Sequence, residues 1–321
     1  ACASLGMGTI ALSPADILSV IVGTADAQTT AVIVNMRLPR ILTALVAGIA
    51  LSLSGCAFQS VLRNPLASAS TLGVAQGAAF GASVAIILIA DGGAAAFEGA
   101  TSSVNPVMTA ACAFAGAMLS TAVILGLSRL REMTPESIVL AGVALSALFT
   151  AGTTLIQYFA EDSQVAAVVF WTFGDLSRVN WSQLAVMAIV TAVSGTFFLA
   201  HAGSFNAIES GEGLAHGLGG AVGRTRLACM VAASLSAACV IAFCGIINFV
   251  GLVAPHITRR LLGADYRYLM PASALVGASL LLLADIACHA VVAPLILPIS
   301  AITAFIGAPL FIYLLFKGVS R

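Results

Sequence analysis

Arg37 and Arg40, either side of Leu38-Pro39, stand at the start of a long apolar run. Two fixed cations with acidic connections around them can hold an anionic partner. The same spacing also suits arginines that snorkel at a helix start, and position alone leaves both readings open. Asp285 lies within another apolar run, where an ionisable group is costly and needs protein or water to answer it; a structural hydrogen bond and a transport role both fit. Pro255-His256, followed by Arg259 and Arg260, reads as a broken-helix turn reaching the membrane boundary, with His256 as a structural hydrogen-bonding residue. Asn64-Pro65 ends a helix, because a residue before Pro is pushed out of the α region and Pro has no N–H.

Catalysis and metal binding find no support. The seven cysteines (Cys2, Cys56, Cys112, Cys229, Cys239, Cys244 and Cys288) sit inside or at the ends of apolar runs. They form no Cys-x-x-Cys pair and no His stands at ligand spacing, so each reads as a small buried hydrophobe and no metal site is expected. The chain has one lysine, Lys317, so it holds no Gly-Lys-Ser/Thr loop to cradle a nucleotide phosphate. If ATP drives this protein, another chain hydrolyses it. A net charge of zero removes the electrostatic footprint of a nucleic-acid binder.

The elements that position these residues follow from composition. With 60% apolar and 8% charged residues, the chain needs lipid as its solvent. Apolar runs long enough to cross about 30 Å of hydrocarbon recur along it, and backbone groups in lipid must pair within their segment, so the runs are helices. Spans are expected near 40–62, 71–90, 106–128, 136–158, 181–200, 227–247, 249–262, 270–293 and 299–316. Residues 1–12 are apolar but too short to cross, and the chain opens on Ala1. A trimmed first helix would bring the total to about ten, in one membrane domain over residues 1–321.

Arg63, Arg129, Arg131, Arg224, Arg226, Arg259, Arg260, Arg267, Lys317 and Arg321 fall on one side of this arrangement, which the positive-inside rule makes cytoplasmic. Ser13-Pro14-Ala15-Asp16 has the pattern of a helix N-cap, so a short surface helix is expected within the outer connection 13–36. Residues 91–105 read as a flexible outer loop. Residues 159–180 carry Trp171, with Trp181 just beyond, and read as a connection with interfacial anchors. Residues 201–226, Gly-rich and holding Glu209, Glu212 and His216, form the largest cytoplasmic segment, one a partner protein could read.

Taken together, Arg37-Leu38-Pro39-Arg40, Gly48 to Gly55, Gln59, Asn64-Pro65-Leu66-Ala67, Leu72-Gly73, Leu140 to Leu145, Gly211 to Gly219, Phe249 to His256 and Ile306-Gly307-Ala308-Pro309 resemble, in order and spacing, a known family. It is the permease subunits of binding-protein-dependent ABC importers for iron chelates, haem and cobalamin. The resemblance implies an all-α, BtuC-like type II importer permease in a bacterial cytoplasmic (inner) membrane. It implies a second permease subunit as dimer partner and two ATPase subunits on the cytoplasmic face, which use ATP and Mg. A periplasmic or lipid-anchored substrate-binding protein would serve the outer face, and this chain itself would bind no cofactor.

Residue by residue, the resemblance assigns binding-protein docking to Arg37 and Arg40, with His289 where the family has a third arginine. It gives ATPase coupling to Gly211, Glu212, Ala215, Leu218 and Gly219, where Gly213 and Gly217 replace bulkier residues. Ala141, Gly142, Ser146 and Ala308 are candidates for the translocation path. Ile296 and Ser300 replace the family's usual Glu and Gly at the outer mouth. The expected cargo is a ferric siderophore or haem, then cobalamin, then molybdate. The rival from another class is an ion-gradient-driven secondary transporter, which would need buried acids around its ion. Asp285 is the only clear intramembrane carboxylate, which argues against it.

Overall fold

The computed structural model describes residues 19–20, 22–89, 105–130, 134–210, 222–292 and 295–319, and among them no strand occurs. Six helices are long and apolar enough to cross a membrane: α1 (Ala27–Val61), α3 (Pro106–Leu130), α4 (Pro135–Tyr158), α6 (Trp181–Ala200), α8 (Val222–Cys244) and α10 (Tyr266–Ala290). Three more helices are α2 (Val74–Ile89), α9 (Val250–Leu262) and α11 (Ile299–Val319), of which α9 is the shortest. These nine follow the nine expected spans. Two further helices, α5 (Asp162–Thr172) and α7 (Ala202–Ser210), lie in the connections. The chain is a multi-pass membrane protein.

Helix α1 corrects the expected boundary. It begins at Ala27, where the Asp26 carboxylate accepts the Thr29 N–H at 3.2 Å as an N-cap. The arginine pair therefore stands well inside the helix and does not open it. Residues Val32–Arg37 form a π-turn, with the Leu38 N–H donating to the Ile33 carbonyl five residues back. The widened turn gives the Pro39 ring room in a helix it would otherwise break. The Ser13–Asp16 pattern falls outside the described residues.

The other end of α1 closes as a Schellman motif. The Arg63 N–H donates to Ser60 O and the Asn64 N–H to Gln59 O, with Arg63 left-handed at φ 46°. Asn64 Oδ1 then accepts the Leu66 N–H at 2.9 Å, so the chain turns at Asn64-Pro65, as its sequence predicts.

Helix α1 is the axis of the molecule: its most apolar stretch is 78% buried, against 17% for the peripheral α4. It packs on α6, α8, α9 and α10. Lipid tails are as apolar as leucine, so helices associate through close packing, and glycine sets how close. A Cβ on Gly48 would lie 2.4 Å from Gly277 O of α10, and one on Gly55 would lie 1.7 Å from Gly251 O of α9. Two apolar clusters follow from this axis. One joins Phe58 and Leu62 to Ala78, Ala113, Met230 and Tyr266; the other joins Ala44 and Leu51 to Met187, Val240, Leu281 and Ile299.

The break between α8 and α9 corrects a second expectation. The helix is interrupted at Gly245 to Phe249 and runs unbroken through Pro255-His256. Gly245 (φ +76°) packs on Gly174 (φ +72°), Asp175 N–H donates to Cys244 O at 2.7 Å, and Phe249 starts α9 at φ +66°. Pro255, buried within α9, has no N–H for the Gly251 carbonyl, which turns towards Gly55 instead. His256 packs edge-on to Phe311 with ring centroids 5.9 Å apart.

Candidate functional site

Polar side chains gather at both ends of the bundle. At the end where α1 begins, Arg40 Nε and Nη2 donate to Asp285 Oδ2 at 3.0 and 2.8 Å. Arg40 is 8% exposed and Asp285 2%, so the pair is buried. One turn further along α10, His289 Nδ1 meets the Asp285 carbonyl at 2.9 Å and lies 3.8 Å from Oδ1. Arg40 and His289, which the resemblance offers as docking groups, thus converge on Asp285. The Arg40 charge is answered within the chain, where it braces α1 against α10. Arg37 is also largely buried, three residues earlier on α1.

At this same end Trp181 Nε1 donates to Val34 O at 3.2 Å, pinning the start of α6 to the π-turn of α1. The 159–180 connection folds as α5 and a turn of 3₁₀-helix at Leu176–Arg178. Trp171 is buried there and is no interfacial anchor. A cavity of about 210 Å³ opens among Trp171, Thr109, Arg178, Gln183 and Phe243. Arg178 Nη2 donates to Phe170 O at 3.0 Å beside it.

The opposite end is the basic one; sequence reasoning named Glu209 and Arg259 there only as separate charges, and did not single out Asn206 or Tyr266. The Glu209 carboxylate of α7 accepts from Arg259 Nη1 near the end of α9. Arg259 Nη2 donates to the Tyr266 hydroxyl at 2.9 Å, at the start of α10. Asn206, one turn before Glu209, donates through Nδ2 to Asp265 Oδ1 at 2.8 Å and accepts the Tyr266 N–H at 2.9 Å. Asp265 also caps α10 by accepting the Arg267 N–H at 3.0 Å. These bonds, that from Asn206 first, hold its carboxyl below the ordinary value. Ser60 Oγ of α1 donates to Phe205 O at 3.3 Å. The available signal was Asn206 and Glu209 at helical i,i+3 spacing, just ahead of a Gly-rich run.

Gly211, Glu212, Ala215, Leu218 and Gly219, expected to contact the ATPase, lie outside the described residues and begin directly after α7. The path candidates separate. Gly142 is buried, and a Cβ there would lie 2.2 Å from Thr71 O; Ser146 Oγ donates to Gly142 O at 2.8 Å beside Gly73. Both face the turn before α2, while Leu140, Val143, Leu148 and Leu155 hold the exposed face of α4. Ala141 and Ala308 are partly exposed. Ala308 follows Gly307, where a Cβ would lie 2.4 Å from the Phe249 Cβ.

The model of the FecCD transport family matches residues 1–317. The chain belongs to that family. It is 47% identical to a Methanocaldococcus jannaschii protein assigned as an ABC transporter permease, over 99% of this chain and 91% of that one. To the Fe(3+)-citrate import system permease protein YfmE of Bacillus subtilis it is 35% identical, over 97% of this chain and 90% of the relative. To the hemin transport system permease protein HmuU of Yersinia pestis it is 33% identical, over 88% and 82%. A solved inward-facing conformation of an ABC transporter of metal-chelate type superimposes with a TM-score of 0.85 at 31% identity, covering 98% of this chain and 94% of that one.

As a FecCD protein, the chain is a membrane permease of the ABC importers that serve iron chelates, haem and vitamin B12, with the all-helical fold of that class. The Asn64-Pro65 and Phe249 to Pro255 segments mark the places where α1 stops and α9 starts against their neighbours.

Proposed function

We propose that this chain is half of the translocation unit of an importer for an iron chelate, a ferric siderophore or haem, working by alternating access in the cytoplasmic membrane. The observation that carries the reading is the family match over residues 1–317, together with relatives named for Fe(3+)-citrate and hemin. A second permease copy completes the path along the outward faces of α4 and α11. Two ATPase subunits dock at the basic end against residues 211–219 and consume the ATP and Mg, and a substrate-binding protein delivers cargo at the end holding Arg37, Arg40 and His289. The Arg40–Asp285 pair argues against an ion-gradient mechanism, because the carboxylate that would hold the ion is already answered by a guanidinium.

The test is reconstitution in proteoliposomes with the ATPase and the binding protein, offering radiolabelled ferric siderophore, haem, cobalamin and molybdate in parallel. Uptake of an iron chelate that needs ATP supports the reading. Uptake that persists without ATP or ATPase refutes the importer, and uptake of cobalamin or molybdate alone refutes the cargo.

A further inference from the structure

Helix α7 leads directly into residues 211–219, and its polar face is bound to two other helices at once. Glu209 holds Arg259 on α9, Arg259 holds the Tyr266 hydroxyl on α10, and Asn206 bridges to Asp265 and to the Tyr266 N–H. The Arg259 guanidinium carbon also lies 5.6 Å from the centre of the Tyr266 ring, and Tyr266 itself is fully buried. By contrast α7 meets α1 through one side-chain bond, Ser60 to Phe205 O, and otherwise through apolar packing.

Helix α9 is short and ends abruptly. Its 13 residues span about 20 Å, so it reaches from this polar cluster only part of the way across the bilayer. Its far end is Phe249, held left-handed, whose side chain presses on Gly307 of α11. On its flank, the Gly251 carbonyl is seated against Gly55 of the central helix, a contact that leaves a pivot and no gap. The Gly245 to Phe249 break frees α9 from α8 at the far end.

We propose that α9 is a lever: Glu209, Arg259 and Tyr266 clamp α7 to its basic end, and its Phe249 tip transmits displacement of α7 to α11 at Gly307, beside Ala308. Glu209, Arg259, Tyr266 and Asn206 are then positioning residues, acting on the path through α9 without touching cargo. The inference rests on the importer reading above and adds to it which helix carries the stroke.

The deciding experiment measures chelate uptake per ATP hydrolysed in the reconstituted complex of permease, ATPase and binding protein. Glu209→Gln and Arg259→Gln are expected to keep hydrolysing ATP while uptake per ATP falls about 3- to 30-fold, the range of coupling carried by packed networks. The charge-swapped double variant Glu209→Arg with Arg259→Glu should recover most of that loss by re-forming the pair, and retained ATP hydrolysis with lowered uptake per ATP in the single variants separates lost coupling from a merely structural defect. An unchanged ratio in the single variants, or a swap no better than either of them, overturns the lever. Should those chains fail to assemble, Tyr266→Phe keeps the ion pair and removes one bond. A ratio lowered about twofold or more then supports the proposal, and an unaltered ratio overturns it. If the unaltered complex takes up no chelate with ATP, both readings fall; if it does and the variants match it, the lever alone falls.

Discussion

Arg40 of α1 and Asp285 of α10 stand 245 positions apart and close a buried ion pair, Nη2 to Oδ2 at 2.8 Å, with His289 packed against the carboxylate from the next turn. Removing one partner leaves the other charge buried and unanswered, which costs about 3–5 kcal/mol. Arg40→Gln and Asp285→Asn should each lower thermal stability in detergent by that order. The paired replacement Arg40→Met with Asp285→Leu should restore most of it. A double variant as unstable as the singles would show that the pair does more than neutralise itself.

Gly55 and Gly203 are both helical glycines with opposite surroundings. A Cβ at Gly55 would meet Gly251 O at 1.7 Å, whereas one at Gly203 meets nothing within 4 Å. Gly55→Ala should push α1 and α9 apart and destabilise by about 1–3 kcal/mol or more. Gly203→Ala should stabilise α7 by up to about 1 kcal/mol. Thermal unfolding of the two purified variants compares them directly.

Arg63 occupies the left-handed position after α1 that glycine usually takes. An L-residue there carries about 1 kcal/mol of strain. Arg63→Gly is expected to raise the unfolding temperature, while Arg63→Ala, which keeps the Cβ, should not. The pair of melting curves separates relief of backbone strain from loss of a surface charge.

Asp265 titrates below its ordinary value of 3.8 because Asn206 and the Arg267 N–H bond its ionised form. Its stabilisation is therefore complete above about pH 3.8 and is lost as pH falls through the lower folded value. Carboxyl NMR on the labelled protein in nanodiscs should place the Asp265 midpoint under 3.8, and Asn206→Ala should move it back up. A midpoint indifferent to Asn206 would contradict the assignment of cause.

The spans were legible because a helix that meets lipid or apolar neighbours is written in local composition; the expected 249–262 and 299–316 begin within a residue of α9 and α11. What sequence could not supply is partnership. Asp285 announces a need for a partner, but only packing of α10 on α1 makes that partner Arg40, a residue whose surroundings read equally well as a docking face. The break after α8 was misplaced for a similar reason. Pro255 is the local signal for a break, yet the α1 contact at Gly55 accommodates its orphaned carbonyl. Gly245 and Phe249 bend because α5 and α11 occupy the space a straight helix would need. Gly142 and Ser146 look like a small-residue path surface, and their smallness is used by the Thr71–Gly73 turn.

The π-turn at Val32–Arg37 acts on α1 as one surplus residue would in a counted thread. Every side chain before it is rotated by about 100° relative to an uninterrupted helix, so Ala27–Ala31 and the rest of α1 keep separate angular registers. A single deletion within 32–37 would merge those registers. It would swing the first turns of α1 to a different neighbour and withdraw the Val34 carbonyl from Trp181, while leaving the composition of the span almost untouched. The end of this permease where α1 begins is therefore tuned by residue count more than by residue type.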